Sequence, residues 1–216
     1  MYIYQIERDL LRREICRNGK ALSGRLLDVG SGRGSPYRDL FPRVGEVVRL
    51  DINPEYHPDL LGSADNIPAE ADSFDAIICT QVLGDVLEPL KAMKEFHRVL
   101  KPGGVALISE GFLNEVHGAP RDYFRFTQHG LAALAAEAGF EAGSVLTGGS
   151  ATVAVQMFTR VLINGLRLYE HERAGRLFSL LFRFLGAVGV LADKCVPKRI
   201  NQNFGLNAVL LAKKIP

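Results

Sequence analysis

Arg25-Leu26-Leu27-Asp28-Val29-Gly30-Ser31-Gly32-Arg33-Gly34, closed by Ser35-Pro36, joins a short apolar run to a loop with glycine at every second position. The run is too short for a helix and rich in aliphatic residues, so it reads as a strand. The alternating glycines let the chain turn tightly and let a ligand approach the backbone without Cβ interference. A helix starting just beyond would offer free N–H groups to an anion.

Working outward, further strand-like runs fall at Glu46 to Leu50, Asp75 to Thr80 and Val105 to Ser109, with later ones at Glu141 to Leu146 and Asn207 to Ala212. Helix-like stretches are expected at residues 3 to 17, stopped by Asn18-Gly19, at Tyr37 to Phe41, at Val86 to Leu100, and at Thr127 to Ala138 with Gly139 just past its end. Strands alternating with helices imply an α/β fold: a doubly wound, Rossmann-like, mostly parallel sheet covered on both faces. About sixty residues separate the last two strands, far beyond the usual ~2 to 6 residue connection, and predict a helical insertion before the last strand.

The chain has 216 residues, 47% apolar and 23% charged, enough for a sizeable core and against wholesale disorder. Its net charge of +2 gives no invitation to nucleic acid, and none is expected as a partner. The total hides an asymmetry. Residues 1 to 159 carry 16 basic and 21 acidic side chains, whereas residues 160 to 216 carry 10 basic and 3 acidic, a net of +7. Cys16, Cys79 and Cys195 are too scattered for a disulfide framework or a structural metal. No charged start followed by an apolar stretch marks the N-terminus, so a cytoplasmic location is expected.

The second strand ends at Asp51, 23 residues after Asp28, about the spacing at which a carboxylate accepts from ribose hydroxyls and thus points to an adenosine-containing cofactor. A dinucleotide fingerprint places its third glycine three residues after the second; here it follows after two. Asp28 would repel a pyrophosphate but suits an ammonium or sulfonium group, which disfavours a nicotinamide-dependent oxidoreductase.

On these residues the chain resembles the class I S-adenosylmethionine-dependent methyltransferases, and among them the type 11 methyltransferase-domain group. The likeness runs from residue 25 to about 147. Asp28 to Gly34 resembles the cofactor loop, Gly62-Ser63-Ala64-Asp65-Asn66-Ile67-Pro68 the adenine-side segment, Ser73 to Ile78 the strand leading to the methyl-transfer site, and Arg98-Val99-Leu100-Lys101-Pro102-Gly103-Gly104 the turn into the fifth strand. The resemblance implies S-adenosyl-L-methionine as cofactor, with contacts at Asp28, Gly30, Ser31, Gly32, Asp51, Ile52, Ala64, Asp65, Thr80 and Gln81, and no metal. Loop N–H groups and a nearby cation would hold the methionine carboxylate, Asp28 the amino group, and Asp65 would accept from the adenine amino group. The chain departs from the family at Ser63, where Asp is frequent, and at Gly84-Asp85, where a Glu-His pair is common.

Beyond the fifth strand, His117-Gly118-Ala119-Pro120-Arg121-Asp122-Tyr123-Phe124-Arg125-Phe126-Thr127 is similar to a segment of type 11 relatives, some of which occur with glycan and lipopolysaccharide assembly enzymes. His117 and Asp122 are the candidate catalytic residues, as general-base assistance to a hydroxyl acceptor, with Tyr123 and Arg125 shaping the pocket. The competing reading makes Thr127 a helix cap, pairs Asp122 with Arg121 or Arg125, and buries Phe124 and Phe126. The expected acceptor is a small molecule or glycan, lipid-linked in one version. A non-catalytic cofactor-binding interaction protein is the alternative.

The expected division is a methyltransferase core over residues 1 to 150, a helical insertion over 151 to 205, and the last core strand over 206 to 216. Within the insertion, Arg176 to Ala192 is mostly apolar, with Glu172, Arg176, Ser179 and Arg183 forming one polar stripe. Arg183 interrupts a run shorter than the ~20 residues a bilayer span needs. Three roles stay open: a lid packed on the core, a dimerisation surface giving a homodimer, or peripheral membrane contact through residues 173 to 199, at the inner face of the membrane.

Overall fold

A computed structural model describes residues 3–215. The chain begins with helix α1 (Ile6–Asn18), and its core is a seven-stranded sheet. The strands are β1 (Gly24–Val29), β2 (Val44–Asp51), β3 (Leu60–Leu61), β4 (Phe74–Thr80), β5 (Leu100–Gly111), β6 (Phe140–Thr147) and β7 (Asn207–Lys214), in the order β3-β2-β1-β4-β5-β7-β6. β1 to β5 are mutually parallel, while β7 runs antiparallel between β5 and β6. Reversal of the strand order at β1 and β4 leaves a crevice beyond their carboxyl ends, the usual ligand position in such sheets.

Alternate residues of each central strand serve opposite faces. Leu27, Val29, Ile77, Cys79 and Ile108 pack under α2 (Pro89–Val99) and α3 (Gln128–Glu137). Leu26, Ala76, Ile78 and Leu107 meet Leu11 and Ile15 of α1 together with Phe41. Thr127 caps α3 by accepting the Gly130 N–H at 3.0 Å, and Gly139 follows its end at φ +94°, so the capping reading holds.

Two expectations are corrected. Between β1 and β2 only a three-residue 3₁₀ turn forms, at Arg38–Leu40, because Pro36 and Pro42 bracket a segment too short for a helix. The glycine loop therefore does not feed a helix N-terminus. Residues 3 to 5 lie outside the helix, which starts at Ile6, with Gln5 extended and the Tyr4 N–H donating to Ser179 Oγ at 2.9 Å.

The chain between β6 and β7 forms α4 (Ser150–Gly165), α5 (Glu172–Asp193) and the short α6 (Lys198–Asn201). α4 and α5 lie side by side, with Gly189 letting Val155 approach. Asp193 at the end of α5 accepts from Ala151 N–H and Thr152 Oγ1, both at 2.8 Å, and so fixes the start of α4. Ile3, Tyr4 and Ile6 share a small core with Ile163, Leu168 and Phe182, so the N-terminal segment stitches this helical layer to the sheet.

Candidate active site

The carboxyl ends of β1, β2 and β4 open on a cavity of about 430 Å³. Gly30, Gly32, Asp51, Ile52, Ala64, Asp65 and Gln81 line it, with Tyr56, Val82, Leu87, Arg121 and Tyr123 completing its walls. Three other sequence candidates stand behind it: Asp28 and Ser31 are buried, and Thr80 pairs with Ser109 inside the sheet.

The glycine loop is drawn tight by its own backbone. Gly30 and Ser31 donate to Leu50 O at 2.9 and 3.2 Å, Gly34 donates to Ser31 O, and Gly32 N–H donates to Asp51 Oδ2 at 2.9 Å. These four N–H groups are thus already used, which corrects the expectation that they wait for a carboxylate. Gly30 sits at φ +69° with the position of a Cβ only 2.3 Å from Val82 Cγ2. Gly32, at φ +57°, faces open space instead. Asp51 also accepts the Asn53 N–H at 2.9 Å. A carboxylate has about four acceptor sites, so two bonds leave capacity for the hydroxyls of a ribose.

An adenosine group fits these walls. Ile52, Ala64, Val82 and Leu87 offer apolar surface to a purine ring, and Asp65 offers an acceptor. Ser63 Oγ donates to Asp65 Oδ1, so the departure at Ser63 orients the neighbouring carboxylate. Ser31 Oγ is buried and has no partner among the described residues, a polar atom left unsatisfied in the loop. Burial pushes the Asp28 carboxyl up to about 6, with the nearby Asp51 charge adding to the shift.

Gln81 is the hinge of the site. It leaves β4 at φ +57°, unusual for a residue with a side chain, donates its N–H to Ser109 O at 2.8 Å, and donates from Nε2 to Asn207 Oδ1 at 3.2 Å. It lines the first cavity and also a second one of about 490 Å³, which Glu7, Arg8, Arg12, Tyr37, Asn114, His117 and Arg160 enclose. No local sequence pattern signals that α1 and α4 supply these walls.

Glu110, at the end of β5, was also missed. Its fully buried carboxylate accepts N–H groups of Val82 (2.9 Å), Leu83 (2.7 Å) and Gly84 (3.1 Å), clamping the turn after Gln81. Burial raises its pKa to about 7, the three N–H donors opposing the rise. A lone acidic residue directly after an apolar strand was the available signal.

His117 and Asp122 are brought together, but with unequal freedom. Asp122 is gripped by the Arg125 guanidinium, one bond being 2.8 Å from Nη2, and accepts the His117 N–H at 2.7 Å. Hydrogen bonds from Arg125, then from His117, hold its carboxyl well below the usual carboxylate range. A carboxylate so stabilised is a weak base, and its oxygens are taken up by Arg125 and the His117 N–H. The His117 ring remains accessible at the edge of the second cavity, with Nδ1 3.1 Å from Glu115 O. Asp85 lies near, and the ligand atoms of Asp85, His117 and Asp122 fall within 4.8 Å of one another, with Arg125 as the countercharge. Arg125 is spent on Asp122, while Tyr123 and Arg121 reach the first cavity.

The comparisons with known proteins agree with this geometry. Residues 27–108 match the family model described as a methyltransferase domain. The chain is 35% identical over 126 residues to demethylmenaquinone methyltransferase of Renibacterium salmoninarum, covering 51% of each chain. It is 35% identical over 121 residues to thiol S-methyltransferase TMT1B of Homo sapiens, covering 46% of this chain and 49% of that one. The chain thus spans about half the length of these curated relatives. In three dimensions it resembles the [4+2]-cyclase SpnF, with a TM-score of 0.63 at 21% identity, covering 97% of this chain and 81% of that one. Residues 27–108 thus match a methyltransferase domain, and fold, loop and cavity together resemble those of the class I S-adenosylmethionine-dependent methyltransferases.

Proposed function

We propose that this protein transfers a methyl group from S-adenosylmethionine to a small-molecule or glycan-type acceptor, lipid-linked in its most specific form. The observation that carries the reading is the pair of cavities that share Gln81 in their lining: one walled by Gly32, Asp51 and Asp65, the other by α1, His117 and Arg160. Their junction is where a donor and an acceptor would be aligned. When bound, the cofactor supplies an electrophilic methyl on a sulfonium, for in-line displacement. Positioning alone can remove ~7 to 11 kcal/mol of such a barrier.

Within this reading the chain's own groups have distinct tasks. Asp51 accepts from ribose hydroxyls while holding Gly32, and Asp65 takes the adenine amino group. Glu110 keeps the turn carrying Gln81 and Val82 in place. His117 stands at the acceptor side as the proton acceptor, and Asp122 with Arg125 holds its backbone.

Demethylmenaquinone and thiols are the acceptors named for the relatives, so the acceptor class of this chain rests on its second cavity. One observation favours a second reading: the same fold serves a cyclase. Cofactor binding without methyl transfer is therefore the alternative. Methyl-labelled S-adenosylmethionine incubated with metabolite, glycan and lipid extracts decides between them. Labelled product formed by the wild type supports transfer; binding of S-adenosylhomocysteine with no labelled product from any extract supports the alternative.

A further inference from the structure

The largest feature that the site does not use is the outer surface of α4 and α5. On α5, Leu177, Leu180, Leu181, Phe184, Val188 and Leu191 recur at three- and four-residue steps and are all exposed, Phe184 at 65%. They form one apolar stripe along a helix whose other side, at Gly175, Phe182, Gly186 and Gly189, is buried. Met157, Phe158 and Val161 give α4, which packs against α5, a second exposed apolar stripe. Isolated exposed aliphatic residues are ordinary, but two such stripes on helices that pack together mark an interaction surface.

The charge around the stripes selects the partner. Arg173 at the start of α5, Lys194 just past its end, and Lys198 and Arg199 of α6 are exposed and make no ion pair among the described residues. Arg183, also exposed, stacks over Tyr4 beside the stripe. The acidic groups of this region are occupied: Glu172 by Arg176, Glu170 by Arg167, and Asp193 by the start of α4. A two-fold dimer through this face would lay one strongly basic segment against another.

We propose that α4 and α5 dock in the plane of an anionic lipid surface, the apolar stripes entering the acyl boundary and the basic rim meeting lipid headgroups. α5 has the length and composition to cross a membrane, but its buried side is fixed to the N-terminal segment at Tyr4 and Ile6 and to α4, which leaves only one face for lipid. Docking would bring the second cavity, to which α4 contributes Arg160, close to a membrane. The inference stands on the exposed surface and does not depend on the methyl-transfer reading.

Co-sedimentation of the full chain with vesicles tests it, using phosphatidylcholine alone and phosphatidylcholine mixed with phosphatidylglycerol. Binding is expected to the mixed vesicles, with at least about a tenfold loss in ~1 M salt, where the Debye length falls to ~3 Å. The variants Leu180→Glu with Phe184→Glu, and separately Lys198→Glu with Arg199→Glu, should each weaken binding about tenfold while keeping the wild-type melting temperature and S-adenosylhomocysteine affinity. No pelleting of the wild type with mixed vesicles would overturn the proposal. So would wild-type binding by both double variants, or a dimer in sedimentation that Phe184→Glu dissociates.

Discussion

Glu110 accepts the backbone N–H of Leu83 at 2.7 Å, joining the end of β5 to the turn that carries Gln81. With Val82 and Gly84 also donating, one buried carboxylate satisfies three N–H groups of the turn, those of Leu83 and Gly84 on buried residues. Replacing it by alanine should cost on the order of 2–4 kcal/mol, since each buried donor left alone carries ~1–3 kcal/mol and the turn can partly relax. Amide hydrogen exchange at Val82, Leu83 and Gly84 should accelerate selectively. Glu110→Gln keeps an acceptor for Val82 and Leu83 and should fall between the two; unchanged exchange in Glu110→Ala would contradict the clamp.

Two glycines of the loop should respond differently to the same substitution. Gly30→Ala drives a methyl into Val82 at a positive φ, and unfolding should show a loss of roughly 2–4 kcal/mol. Gly32→Ala meets open space and should cost only the ~1–2 kcal/mol of its left-handed backbone. It should still weaken S-adenosylhomocysteine binding, because the new methyl enters the cavity.

Asp28 makes stability depend on pH. Its folded pKa of about 6 lies above the unfolded value near 4, so the folded state holds the proton more tightly. The resulting contribution, on the order of 3 kcal/mol, is fully present below about pH 4 and is lost as pH rises through about 6. Denaturant unfolding of Asp28→Asn across this range should show a flatter profile than the wild type. Glu110 adds a slope of the same sign extending to about pH 7.

His117 should matter to turnover and not to cofactor affinity. His117→Ala is expected to lower kcat by about 10²-fold or more, the scale of general-base assistance, with S-adenosylhomocysteine binding unchanged. Asp122→Asn should lower both kcat and the thermal stability of the segment it holds, since its oxygens carry Arg125 and the His117 N–H.

What the sequence disclosed follows from how local its signals were. Strands β1, β4 and β5 announce themselves as apolar runs, and the seven cavity-lining candidates lie within a few residues of strand ends, where the parallel topology dictates a ligand site. β3 went unread because two residues, Leu60 and Leu61, carry no periodicity. The helix expected at Tyr37 to Phe41 failed because Pro36 and Pro42 outweigh a weak apolar pattern. The second cavity was beyond reach for another reason: Glu7, Gln81, His117 and Arg160 are adjacent only after α1 and α4 close over the sheet. Local pattern carries no information about that closure.

The cavity at Gly32, Asp51 and Asp65 should hold the adenosine part of S-adenosylmethionine. Isothermal titration with S-adenosylhomocysteine tests it most directly, comparing the wild type with Asp51→Ala and His117→Ala. Asp51→Ala should lose at least about tenfold in affinity, as expected for the ~1.5–3 kcal/mol of hydrogen bonds to a charged group, while His117→Ala binds like the wild type. Equal affinity of Asp51→Ala and wild type, or no binding by the wild type, would contradict the account.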